Sequence, residues 1–428
     1  MVVPPQGVGG GAPLDAGVLE DSYIARFKAL DPKVARLFGY AEALVSAGVL
    51  SVDDVVKYAN DVLSTSAIAQ FCDNVFSISF SVSILTSAYM PISKAVEILS
   101  DVNLSANKTQ SILYNMVDQR LYDMLFNIIT FDAPDASYTA NTTLSTGVNR
   151  YRNLSIASGV TLTLGAEPGV IIANSITNSG TIASGWIKGA GGAGVCGGGN
   201  GGGGSGAVII LVASDVSVGT VISNGVDGAN STSYSCDGKG SPGGGGGFWL
   251  ISGDSVPSGG NGGDGGAGNK NGGGGGRSGG AGGSANVTTF TDAPSLLNKL
   301  FKAVCDWWLV NVTNKTPSST VSISLGGSGG GGGGGGPTSY TGGGGGGGGG
   351  QIIIYGTSVI AGSVQAKGGN GGVSSGTTAY CGGGGGGGII YVFYKNLTGT
   401  FTYDVSGGTT SGLLATAGGA GVFRAIPV

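Results

Sequence analysis

Nucleophilic, acid–base and metal chemistry each require particular side chains at particular spacings, and this chain offers few of them. It has no histidine. That excludes a Ser-His-Asp or Cys-His nucleophile, His-based proton transfer and a His-containing zinc site. The five cysteines, Cys72, Cys196, Cys236, Cys305 and Cys381, include no Cys-x-x-Cys pair, so no metal or redox motif is expected. Cys196 and Cys236 are candidates for a disulfide staple, with small buried thiols as the alternative. Gly259-Gly-Asn-Gly-Gly-Asp264 resembles a calcium-binding nonapeptide repeat but occurs once. No glycine tract ends in Gly-Lys-Ser/Thr, so no phosphate loop is expected. A carboxylate pair for glycoside hydrolysis would have to come from few acidic residues in the Gly-rich part. No catalytic residue, metal ligand or cofactor is expected.

Binding chemistry is better represented. Segments linking the glycine tracts carry Tyr234, Lys239, Asn269, Lys270, Asn271, Thr338, Tyr340 and Tyr380. Tyrosine and asparagine suit carbohydrate through stacking and hydrogen bonding, and loops on a rigid scaffold can vary while the scaffold stays constant. Nine Asn-X-Ser/Thr tripeptides occur, at Asn103, Asn107, Asn141, Asn153, Asn230, Asn286, Asn311, Asn314 and Asn396. Chance in an Asn-, Ser- and Thr-rich chain is one explanation. Glycosylation is the other, with Asn141, Asn153, Asn230, Asn286, Asn311 and Asn396 as candidates. Charged residues make up only 10% of the chain and the net charge is −4, which excludes a broad cationic nucleic-acid surface.

The elements that must position these residues fall into two compositions. Only seven of the 92 glycines lie in residues 1–135, and that segment has a net charge of −7 against +3 for the rest. A domain boundary is expected near Asp132-Ala133-Pro134-Asp135. The first part reads as a mainly helical docking or oligomerisation domain. Asp31-Pro32 and Ser51-Val-Asp-Asp54 look like helix starts, Pro91 opens another helix, and Ser105–Ile129 reads as a longer one. Phe76-Ser-Ile-Ser-Phe-Ser-Val-Ser-Ile84 alternates with period two and predicts a strand, with a Ser-faced helix as the competing assignment. The N-terminus lacks a basic start and an apolar stretch, so it is not expected to be a secretory signal, and no run is long enough to span a membrane.

Residues 136–428 repeat a unit of glycine, an apolar strand, a polar corner and a second short strand. Copies begin at Gly169, Gly206, Gly247, Gly350 and Gly388, at a period near 40. Each second strand runs into a Gly-rich return. An extended helix with three residues per turn makes no internal hydrogen bonds, so side-chain-free glycine helices can bond laterally to one another in a lattice. A helical insertion is expected around 291–310, with Leu296, Leu297, Leu300, Phe301, Val304 and Trp308 on one face. Trp307 and Trp308 suggest membrane contact or sugar stacking, or simply a helix buried on the sheet.

Strand-plus-polyglycine repeats with short polar loops resemble the Gly-rich distal tail-fibre adhesins of T-even-like phages and related viral fibre proteins. The resemblance covers roughly residues 150–428 and is architectural. It implies a polyglycine sandwich whose tip loops bind a host surface. The expected fold class is therefore α+β: an N-terminal helical domain followed by a repetitive β-strand/polyglycine-II, solenoid-like domain. The expected function is non-enzymatic host attachment at a virion surface. Other virion proteins would bind through residues 1–135, and a host glycan or protein would be the receptor. The protein would be a homo-oligomer, a trimer being the familiar state of viral fibres. The alternatives are a structural subunit of an extracellular fibre or shell, and a tailspike depolymerase.

Overall fold

The computed structural model describes residues 38–165, 169–187, 205–230, 245–251, 293–321, 323–329, 344–373, 382–411 and 416–428. The chain forms two compact units, one of Met1–Gln119 with Trp308–Ser318 and one of Arg120–Trp307 with Ser319–Val428.

In the first unit, α1 (Ala41–Ser46), α2 (Val52–Val62), α3 (Thr65–Asn74), α4 (Ile78–Leu85), α5 (Ile92–Ser100) and α6 (Ala106–Asp118) follow one another. Ser51 opens α2 with a reciprocal cap: its hydroxyl accepts from the Asp54 amide at 3.1 Å, and Asp54 accepts from the Ser51 amide at 3.0 Å.

The strand expected over 76–84 is a helix. Ser77 caps it by accepting from the Phe80 amide at 3.1 Å. The hydroxyls of Ser81 and Ser83 donate to carbonyls one turn back, at 2.8 and 3.0 Å. The serine face is thus absorbed by the helix's own backbone, while Phe80, Val82, Ile84 and Leu85 are buried. The long helix expected over 105–129 also breaks, because Arg120 takes a left-handed φ of 59° after α6 ends. A short segment from late in the sequence completes this unit. Lys315 Nζ donates to Leu99 O and Leu104 O, both at 2.7 Å, and to Thr109 Oγ1 at 3.0 Å.

The second unit starts with α7 (Tyr122–Thr130) and then alternates long and short strands. They are β1 (Ala136–Tyr138), β2 (Thr142–Thr143), β3 (Gly147–Ile156), β4 (Thr161–Thr163), β5 (Gly169–Asn178), β6 (Thr181–Ala183), β7 (Trp186–Ile187), β8 (Ser205–Gly206), β9 (Val208–Ser217), β10 (Thr220–Ile222) and β11 (Gly245–Ile251). After α8 (Ala293–Asn311), within which the two units divide, come β12 (Ile323–Gly329), β13 (Gln351–Ile360), β14 (Ser363–Gln365), β15 (Ile389–Thr398), β16 (Thr402–Asp404) and β17 (Val422–Pro427). One seven-stranded sheet has the order β1-β3-β5-β9-β13-β15-β17, and one six-stranded sheet the order β16-β14-β10-β6-β4-β2. Every pairing in both sheets is parallel.

These sheets overturn the α+β expectation of an N-terminal helical domain followed by a polyglycine-II solenoid. The protein is an α/β fold in which two parallel sheets of seven and six strands are interleaved with helices. The cause lies in strands such as Val208–Ala213, which are apolar without alternation and therefore bury both faces. One face packs toward the second sheet through Ile209, Leu211, Ile352, Ile354, Ile390 and Val392, against Leu162, Ile182, Val221 and Val364. The other face needs helical cover. Tyr355 packs with Tyr122 and Phe126 of α7 and with Phe301 of α8, at ring distances of 4.8–5.8 Å. Asp123 fastens α7 by accepting from Ser214 Oγ and Thr357 Oγ1, both at 2.6 Å.

Of the five expected repeat starts, β5, β9, β13 and β15 join the large sheet, whereas β11 pairs antiparallel with β12.

Candidate binding site

The short strands continue into glycine-containing segments at 223–229, 366–372 and 405–409, and the long strands are preceded by others at 344–350, 382–388 and 416–421. These six segments bond to one another. Gly344, Gly347 and Gly350 donate to Ala229, Val226 and Ser223 at 3.0, 2.9 and 2.7 Å, an antiparallel pairing. Gly346 and Gly349 instead donate to Gly383 and Gly386, a parallel pairing, at 2.9 and 2.8 Å. In the central segment, Gly369 and Gly372 donate to Gly347 and Gly344, while Gly368 and Gly371 donate to Ser406 and Thr409. Successive residues thus face different neighbours with a period of three.

Space, not backbone conformation, demands glycine here. A Cβ on Gly346, Gly371, Gly385 or Gly408 would overlap a neighbouring carbonyl, although none of these residues has a left-handed φ. Ordering a backbone residue costs about 1–2 kcal/mol, and a net hydrogen bond returns roughly 0.5–1.5 kcal/mol. The segments would not hold by themselves. Their continuity with strands that bury apolar side chains, such as Ile352, Ile354, Ile390 and Val392, supplies the difference, at about 25 cal/mol per Å² of apolar surface.

Asparagine and aspartate complete the bonding on one side. Asn224, Asp227 and Asn230 accept from the amides of Lys367, Asn370 and Val373 at 2.8, 2.6 and 2.8 Å. Asn370 in turn accepts from the Thr409 amide at 2.8 Å. Sequence inspection missed Asn224, Asp227 and Asn370 and singled out Asn230 only as a glycosylation candidate. The signal was present as Asn224-Gly-Val-Asp-Gly-Ala-Asn230, an Asx residue at every third position.

At one end of the layer Asn230, Val373 and Ser411 lie on the same side as Gly344, Gly382 and Thr416, as their hydrogen bonds show. Ala229 accepts from Gly344, Gly344 from Gly372, Gly372 from Gly382, and Thr416 from Gly384, at 2.7–3.1 Å. Asn230 accepts from the Val373 amide at 2.8 Å, and Thr410 Oγ1 donates to Gly382 O at 3.0 Å. A hydrogen-bonded platform results, with Asn230, Val373, Thr409, Ser411 and Thr416 exposed.

Tyr234, Lys239, Asn269, Lys270, Asn271, Thr338, Tyr340 and Tyr380 lie outside the described residues, as do Cys196, Cys236 and Asn286. In sequence, Tyr234 and Lys239 follow Asn230, Thr338 and Tyr340 precede Gly344, and Tyr380 precedes Gly382. The residues flanking those five therefore meet at one end of the platform. Asn269, Lys270 and Asn271 have no such neighbour among the described residues. Asn153 and Asn396 share a row across the large sheet, in register through Ser175, Asp215 and Ser358. Asn141 lies just before β2, Asn230 at the platform, and Asn311 at the end of α8.

Cys72 and Cys305 are free and buried, and burial pushes the Cys72 thiol up to about 11, so it is not a nucleophile near neutral pH. Among the described residues no group of three or more His, Cys, Asp or Glu side chains could hold a metal, and no helix is long and apolar enough to cross a membrane. Comparison of the chain with family models, curated proteins and solved structures gives no match.

Proposed function

We propose that this chain is a non-enzymatic attachment protein of a virion surface, a tail fibre or spike whose platform loops bind a host glycan or protein. The observation that carries it is the lateral backbone bonding of six glycine-bearing segments into one layer, beside which the sequence places the proposed contact residues. A layer so bonded resists deformation, so loops anchored there can change sequence without disturbing their base. Tyr234, Lys239, Thr338, Tyr340 and Tyr380 are the proposed contacts, and residues 1–135 are the proposed attachment to other virion proteins.

The test replaces residues 231–244 and 374–381 by short Gly-Ser linkers and measures cosedimentation with envelope fractions from a panel of bacterial and archaeal hosts. The expected outcome is retention of the parent chain on one host's envelope and loss of retention for the variant. Equal retention of both proteins, or none of the parent on any envelope, would sink the proposal.

A structural subunit is the second reading, favoured by the last strands. Tyr403 is 54% exposed and stacks on Phe423 at 4.2 Å, leaving an aromatic pair at the end of both sheets. Filaments forming with rising protein concentration would support it.

A further inference from the structure

The Asn-X-Ser/Thr tripeptides are not explained by platform binding, and the structure sorts them. A transferase must turn the asparagine amide toward itself and reach the hydroxyl two residues on. At Asn153 the amide donates to Asp135 at 2.9 Å and its oxygen accepts from Ser175 at 2.7 Å. Asn103 donates to Asp101 at 2.9 Å. Asn141 and Asn230 hold the backbone amides of Thr161 and Val373, both at 2.8 Å. At Asn107 the partner hydroxyl, on Thr109, is fully buried. At Asn311 that hydroxyl, on Thr313, is spent on Leu309 O. Asn314 has a left-handed φ of 55°, and its tripeptide is pinned by the three bonds of Lys315.

Asn396-Leu397-Thr398 differs on each count. Asn396 and Thr398 are exposed, and neither side chain has a hydrogen-bond partner among the described residues. The tripeptide is bonded to β13 on one side, through the pairs Ser358–Asn396 and Ile360–Thr398. On the other side β17 pairs with residues 389–394 of β15.

We infer that Asn396 is an acceptor for N-linked glycan, an inference that rests on the extracellular reading above. The donor class is a lipid-diphosphate oligosaccharide. The amide nitrogen of Asn396 bonds to the anomeric carbon and gives up one proton, which passes to a base of the transferase and then to solvent. The anomeric carbon–oxygen bond to the diphosphate breaks, and the lipid diphosphate leaves with the electron pair.

The experiment incubates the purified, folded full chain with a membrane oligosaccharyltransferase that accepts Asn-X-Ser/Thr and with its lipid-diphosphate oligosaccharide donor, and maps occupancy by glycopeptide mass spectrometry. Most molecules are expected to carry sugar at Asn396 and almost none at Asn107 or Asn153. Thr398→Ala should abolish the Asn396 glycan and Thr398→Ser should keep it. A bare Asn396, whether or not other tripeptides are occupied, would overturn the inference. Envelope binding by a chain bare at Asn396 would leave the attachment proposal standing while this one fell.

Discussion

Two glycines separate the reasons for having no side chain. Gly385 lies within the bonded layer, where a Cβ would overlap the carbonyl of Gly347. Gly399 turns the chain with a φ of +86°, and a Cβ there would meet only Ala361, at 3.6 Å. Gly399→Ala should therefore cost about 1–2 kcal/mol, the penalty for left-handed backbone. Gly385→Ala should cost about 3 kcal/mol, because the overlapped atom is backbone and cannot rotate away. Urea denaturation of the two variants checks the order. If Gly399→Ala proved the more damaging, close approach would not be what selects glycine in the layer. The Asx residues at 224, 227 and 230 act by a different route, since they bring an acceptor to amides that the glycines leave over.

Among the elements, the segment around Lys315 shows how a single long side chain can tie distant parts of the sequence. Its ammonium has three donors and three oxygen partners. Burial nevertheless lowers its pKa from 10.5 to about 8, with Asp101 and Asp73 opposing the shift. Because folding lowers it, the unfolded chain keeps the proton over the interval between those values. Stability from this group thus rises as pH increases from about 8 toward 10.5 and is constant below 8. Thermal denaturation of the helical unit, compared with Lys315→Met at each pH, should show the parent gaining on the variant across that interval. A parent that lost ground there would mean the ammonium is better accommodated than its burial implies. Helix α4 illustrates the opposite limit. Its alternating Ser and apolar residues matched a strand pattern, but no strand among the described residues pairs with it, and serine hydroxyls can satisfy helix carbonyls instead.

Considered as one molecule, the protein divides its stability between two kinds of bonding. Buried aliphatic columns hold the sheets, and backbone amides hold the glycine layer. The amides of Gly346, Gly369 and Gly385, each bonded at 2.7–2.9 Å, should exchange with solvent at rates comparable to those of the sheet amides. Hydrogen exchange read by mass spectrometry checks this. Exchange as fast as in a free glycine peptide would remove the rigid platform on which the attachment proposal stands.

Composition and period alone determined much of this. The absent histidine narrowed the chemistry, the 40-residue repeat announced strands at its five starts without giving their direction, and Ser51 with Asp54 announced a helix cap. These are local properties, set by which atoms a short stretch can bring to bear. What required the tertiary structure was the assignment of α7 to the sheets, the identity of 78–85 as helix, and the lateral bonding of six glycine-bearing segments into one layer. Each depends on which segment lies alongside another, and a linear chain does not state its neighbours. Helical cover in particular follows from strands apolar on both faces, but the choice of Tyr122, Phe126 and Phe301 to supply it was made by packing across nearly 180 residues of intervening sequence.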